Sequence, residues 1–100
     1  MEFKVTGRHV DITDAIRDYA EKKTARLSRY YDRIQAIDVV IDQRDRVFSV
    51  ELVVDIEHAD DIRAKVEGED LYACIDGAVD KAERQLTDHK EKLRNRKHSA

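Results

Sequence analysis

The sequence predicts an α+β fold: a two-layer β-α-β-β-β-α sandwich with two helices on one face of a four-stranded mixed sheet. Three observations carry that expectation. Four segments alternate apolar and polar residues with a period of two, and two longer segments repeat apolar residues at helical spacing. The 100 residues also include no Pro and only three Gly, so most of the chain is free to form regular elements joined by short connections.

In residues 2–6, EFKVT, Phe3 and Val5 share one side, as in a half-buried strand, and Gly7 is expected to break the pattern. Thr13 is a candidate N-cap, and Asp14 behind it places a negative charge in the first turn of a helix. Ile16, Tyr19, Ala20, Lys23, Leu27 and Tyr30 then keep helical spacing to about Tyr31. Three alternating runs follow: Ile37, Val39 and Ile41; Phe48 to Ile56; and Ile62, Ala64 and Val66. The polar turns QRDR (43–46) and HADD (58–61) separate them, so an antiparallel meander is expected. The first helix, lying between strands, should make a right-handed crossover and a parallel strand pair. Gly68 ends the last strand and Asp70 can cap a long final helix. Its apolar positions are Leu71, Ile75, Ala78, Val79, Ala82, Leu86, His89 and Leu93, the clearest helical signature in the chain.

A chain of this length suits one domain that buries roughly two-thirds of its unfolded surface. Residues 1–95 are expected to form it, with 96–100 a basic, frayed tail. No apolar run approaches the roughly 18 residues of a membrane span, and no hydrophobic segment opens the chain, so a cytoplasmic protein is expected. The single Cys74 supports neither a disulfide framework nor a zinc site.

The net charge of -3 conceals a segregation. Residues 15–37 carry six bases against three acids, and residues 81–100 carry seven against three. Residues 38–80 carry four bases against thirteen acids. On helical wheels Lys22, Arg26, Arg29 and Arg33 form one stripe of the first helix. Lys81, Arg84, Gln85 and Lys92 share a flank of the last helix, interrupted by Asp88, with Lys90 and Arg94 on the other flank. The outward strand positions include Asp38, Asp42, Glu51, Asp55 and Glu57, read as an acidic back. A solvated basic face is the ordinary explanation for one such helix. Two basic helices opposite an acidic sheet point instead to a phosphate-binding surface, where local field matters more than net charge.

Catalytic readings find little support. His9, His58, His89 and His98 show no pair at ligand spacing, and no Gly-rich phosphate loop or Ser-based nucleophile motif is present. Neither a metal nor a cofactor is expected. His89 and Cys74 read as packing residues. Gly77, inside the last helix, reflects either close approach of a neighbour or chance. Tyr72 reads equally as a ring packed on the sheet edge or as a stacking platform for a nucleobase.

The segments VTGRHVDITDAIRDYAEKK, LSRYYDRI and EGEDLYACIDGAVDKAERQLTDHKEKL resemble the ribosome hibernation-promoting factor family. That family takes in the ribosome-associated inhibitors, and some of its members are described as modulators of an alternative sigma factor. The resemblance covers nearly the whole chain and is to the short form, without a further domain for pairing ribosomes. It implies a fold similar to a double-stranded-RNA-binding domain and a non-enzymatic protein, monomeric off the ribosome, with no membrane or small-molecule partner. The implied partner is the small ribosomal subunit, at 16S-type rRNA in the mRNA/tRNA decoding channel, with translation inhibited in stationary phase or stress. The implied rRNA-binding residues are Lys23, Arg26 and Arg33 in the first helix and Tyr72, Lys81, Arg84, Lys90 and Lys92 in the second. The wheel adds Lys22 and Arg29. Asp88 departs from the family pattern, which has a base there. The alternative reading is a protein-interaction module that modulates a sigma factor through the acidic sheet face.

Overall fold

A computed structural model of the protein describes the backbone of residues 1–98 and the side chains of residues 1–93. The elements run β1 (Glu2–Arg8), α1 (Asp14–Tyr30), β2 (Ile34–Arg44), β3 (Val47–Ile56), β4 (Ile62–Gly68) and α2 (Leu71–His98). This is the predicted order. The sheet order is β1-β2-β3-β4, with β1 parallel to β2 and the other pairs antiparallel. Of the expected tail at 96–100, residues 96–98 continue α2 and 99 and 100 lie outside the described residues, as does the side chain that sets the wheel position of Arg94.

Alternation along the strands delivers one apolar face. Ile37, Val39 and Ile41 of β2, Val50, Leu52, Val54 and Ile56 of β3, and Ala64 of β4 are almost completely buried. Both helices cover this face. Ala20 and Leu27 come from α1, and Ile75, Ala78, Val79, Ala82 and Leu86 from α2, into one continuous core. His89 packs edge-on against Tyr31 with ring centroids 5.8 Å apart. Thr24 is buried in the core, and its hydroxyl donates to the Ala20 carbonyl at 2.8 Å.

Local signals held at the helix starts. The Thr13 hydroxyl accepts from the Ile16 N–H at 3.2 Å, and an Asp70 carboxylate oxygen accepts from the Ala73 N–H at 3.2 Å. Two boundaries differ from the sequence reading. Gly7 does not break β1, because the parallel ladder continues through Gly7–Ile41 and Arg8–Asp42. A Cβ at residue 7 would lie 2.5 Å from the Val10 carbonyl oxygen, so close backbone approach is what requires glycine there. The expected four-residue turn at 43–46 contracts to Asp45–Arg46, since Gln43 and Arg44 pair with Phe48 and Val47. Asp45 takes φ 56°, a left-handed conformation that Asp tolerates better than most residues.

β4 is an outer strand, yet its edge is not bare. Lys81 Nζ donates to the Lys65 carbonyl at 3.2 Å and Gln85 Nε2 to the Arg63 carbonyl at 3.0 Å. Residues four apart on a helix are separated by about 6.0 Å and residues two apart on a strand by about 6.6 Å, so the two rulers match.

Candidate nucleic-acid interface

Two rows of side chains meet where α1 and α2 run side by side. Tyr19, Lys23, Arg26 and Tyr30 form the α1 row, and Asp76, Asp80, Glu83 and Thr87 the α2 row. Both have the helical spacing of 4, 3, 4. The Tyr19 hydroxyl donates to Asp76 at 2.7 Å, and Lys23 Nζ lies 3.6 Å from the same carboxylate. The bond to Asp76 is the main cause pushing the Tyr19 phenol up to about 12. Arg26 reaches two acids, with Nη2 at 2.8 Å from Asp80 and Nε at 2.8 Å from Glu83. Its guanidinium is raised further, first by the Asp80 hydrogen bond. Tyr30 Oη and Thr87 Oγ1 are 3.0 Å apart.

The candidate residues therefore divide. Lys22, Arg29, Arg33, Arg84 and Lys92 are exposed and have no ion-pair partner among the described residues. Lys23 and Arg26 are paired across the seam. Lys81 is tied to β4. Lys90 closes the end of α1, with its ammonium 4.3 Å from the Tyr30 ring centroid and 3.4 Å from the Tyr30 carbonyl. Tyr72 is 42% exposed, and its aromatic partner is Tyr19 of α1, met edge-on at 4.8 Å between centroids, where a sheet-edge contact was one of the two expectations.

Reading each helix alone missed Asp76, Asp80 and Glu83. The cluster of Lys23, Arg26, Asp76, Asp80 and Glu83 sets two cations against three carboxylates, so the seam is locally negative between flanking free cations. The outward strand acids also differ from the expected acidic back. Lys4 lies 3.7 Å from Asp38, Arg63 3.7 Å from Glu51, and Arg44 3.8 Å from Asp42. His9 lies 3.0 Å from Asp42 and is the first cause holding that carboxyl below its usual range. Cations of β1, β2 and β4 lie near Asp38, Asp42 and Glu51 of the two central strands.

An open notch of about 470 Å³ lies beside the end of α1, lined by Tyr30, Tyr31, Arg33, Thr87, Lys90, Glu91 and Leu93. Among the described residues no group of three or more His, Cys, Asp or Glu is placed to hold a metal. Cys74 is buried, and burial is the first cause pushing its thiol up. No described helix is long and apolar enough to cross a membrane.

The fold and this surface define a class: a two-layer α+β domain whose helical side carries a set of exposed, unpaired cations. The chain belongs to the family described as sigma 54 modulation protein / S30EA ribosomal protein, whose model matches residues 3–94. It is 39% identical over 94 residues to the ribosome hibernation promoting factor of Escherichia coli K12, covering 94% of this chain and 98% of that one. With its Azotobacter vinelandii counterpart it shares 40% over 92 residues, covering 92% and 85%. Among solved structures it is similar to the N-terminal domain of Thermus thermophilus Protein Y, with TM-score 0.80 and 43% identity over 89% of this chain and 99% of that one. A ribosomal subunit interface protein from Coxiella burnetii gives TM-score 0.84 and 31% identity, covering 91% and 99%.

Proposed function

We propose that this protein is a cytoplasmic, non-enzymatic ribosome hibernation factor. It binds the small ribosomal subunit in the mRNA/tRNA decoding channel and inhibits translation in stationary phase or stress by occupying that channel. The names of its relatives support a ribosomal partner. The observation that carries the interface is a set of unpaired cations on the helical side, Lys22, Arg29, Arg33, Arg84 and Lys92 among them, while most sheet acids are paired.

Phosphates of rRNA are the ligand for such a set, and Tyr72 adds a ring for stacking. If all five cations meet phosphates, log K falls against log salt with a slope of about -4, at roughly 0.7–0.9 per contact. Co-sedimentation with purified small subunits over a salt series tests this. Lys22→Glu, Arg29→Glu and Arg84→Glu together should release the protein, whereas Arg63→Glu on the sheet face should leave it bound. Unchanged retention of the triple variant, or salt-indifferent binding, overturns the reading. Chemical footprinting on the same subunits locates the channel contact. The alternative, a protein-interaction module that modulates a sigma factor, would use the sheet face instead, and charge reversal at Asp55 and Glu57 rather than on the helices would then abolish activity.

A further inference from the structure

Arg26 is 47% exposed on the helical face, and its Nε and Nη2 are already engaged by Glu83 and Asp80. A guanidinium has five N–H donors, so three remain for another acceptor. Those three open onto a locally negative seam, because Lys23 and Arg26 face three carboxylates. A phosphate reaching Arg26 meets that excess charge or displaces a carboxylate. Asp80 is 63% and Glu83 38% exposed, so both are within reach of solvent and of an incoming polyanion.

We propose that Asp80 and Glu83 form an intramolecular clamp that competes with RNA phosphate for Arg26 and so sets the affinity of the helical face. The proposal rests on the reading that this face meets RNA. Two consequences separate it from an ordinary interhelical strut. Arg26 contributes little to RNA affinity while clamped, and it becomes a full phosphate contact once both acids are neutralised. A strut would instead lose affinity when cut, through looser placement of α1 against α2.

The test is a double-mutant cycle read as affinity for purified small subunits across a salt series. Asp80→Asn with Glu83→Gln is one arm and Arg26→Gln the other. Asp88→Asn with Glu91→Gln removes the same two charges from nearby exposed positions of α2 without touching Arg26. The clamp predicts a larger gain from the Asp80/Glu83 pair than from the Asp88/Glu91 pair. It also predicts a salt slope steeper by about 0.7–0.9, the value of one added phosphate contact. Arg26→Gln should then weaken binding less than about 3-fold in the parent and about 10-fold or more in the neutralised background, a coupling within the usual range for contacting residues. An additive cycle, equal gains from the two pairs, or a loss of affinity at unchanged slope each overturns the clamp. Thermal unfolding of every variant accompanies the cycle. If the double neutralisation does not fold, Glu83→Gln alone keeps the Asp80 contact, and a smaller gain in the same direction is expected, with no gain overturning the proposal. Parent protein that fails to bind small subunits at low salt overturns the proposed function and the clamp together, whereas binding with an additive cycle overturns the clamp alone.

Discussion

Gly77→Ala is expected to stabilise the protein. Gly77 sits inside α2, where glycine costs up to about 1 kcal/mol relative to alanine through backbone entropy. A Cβ built there lies 3.5 Å from both Val66 γ-carbons and 3.9 Å from Val66 Cβ. Those are ordinary van der Waals separations, so nothing must move and the added methyl gains contact with β4. The expected gain is about 0.5–1 kcal/mol, or about 2–8 °C in Tm for a domain of this size. Gly7→Ala is the counterpart. Its Cβ would meet the Val10 carbonyl oxygen at 2.5 Å and Ile12 Cγ1 at 2.8 Å. Backbone cannot yield there without shifting β1, so a loss of about 1–3 kcal/mol is expected. Urea unfolding monitored by circular dichroism, with m held constant between variants, measures both. A neutral or destabilising Gly77→Ala refutes the claim that α2 and β4 leave room for a methyl group, and equal effects at the two positions refute the contrast.

Tyr19→Phe should cost about 1 kcal/mol at neutral pH, reduced from a fully buried charged hydrogen bond because the seam is partly solvated. Its phenol is raised in the folded state, so the contribution is complete below about pH 10, the ordinary Tyr value, and is lost as pH rises toward about 12. The gap between variant and parent stability should therefore narrow over that window, and a constant gap contradicts the assignment. Leu86 is completely buried between α2 and the sheet, and Leu86→Ala should lose about 2–5 kcal/mol in chemical denaturation. Cys74 is 3% exposed with its thiol pushed up, so alkylation should proceed only through opening of α2 and accelerate in denaturant. Fast labelling of the native protein contradicts that burial.

The architecture was legible because every element has one dry face, and a dry face imposes its period on the sequence. Ile37, Val39 and Ile41 could only alternate, and Leu71 through Leu93 could only wind. The seam was less legible for a reason of scale. A helical wheel describes one cylinder, and the partners of Lys23 and Arg26 lie on another. Dividing the charge count between residues 80 and 81 also assigned Asp76 and Asp80 to the acidic sheet segment, away from the helix that carries them. The signal existed nonetheless. Tyr19, Lys23, Arg26 and Tyr30 match Asp76, Asp80, Glu83 and Thr87 at a constant offset of 57 residues, with opposite charges at the two middle positions. Recognising it requires knowing that the two helices pack in parallel at that register, which is tertiary information. The sheet acids were misread similarly, because Lys4 and Arg63 answer Asp38 and Glu51 only once strand order is known.

The side chains of Lys81 and Gln85 make the two borders of the sheet unequal. On the β4 border they occupy the Arg63 and Lys65 carbonyls, acceptors that an added strand would need. β1 forms the opposite border and pairs only with β2. Strand exchange, templated aggregation or docking of an extended peptide therefore meets a guarded border at β4, whereas among the described residues no side chain bonds the outer backbone of β1 in the same way. The guard comes from the same helix that presents Arg84 and Lys92 to solvent, so one element both shields a sheet border and displays charge.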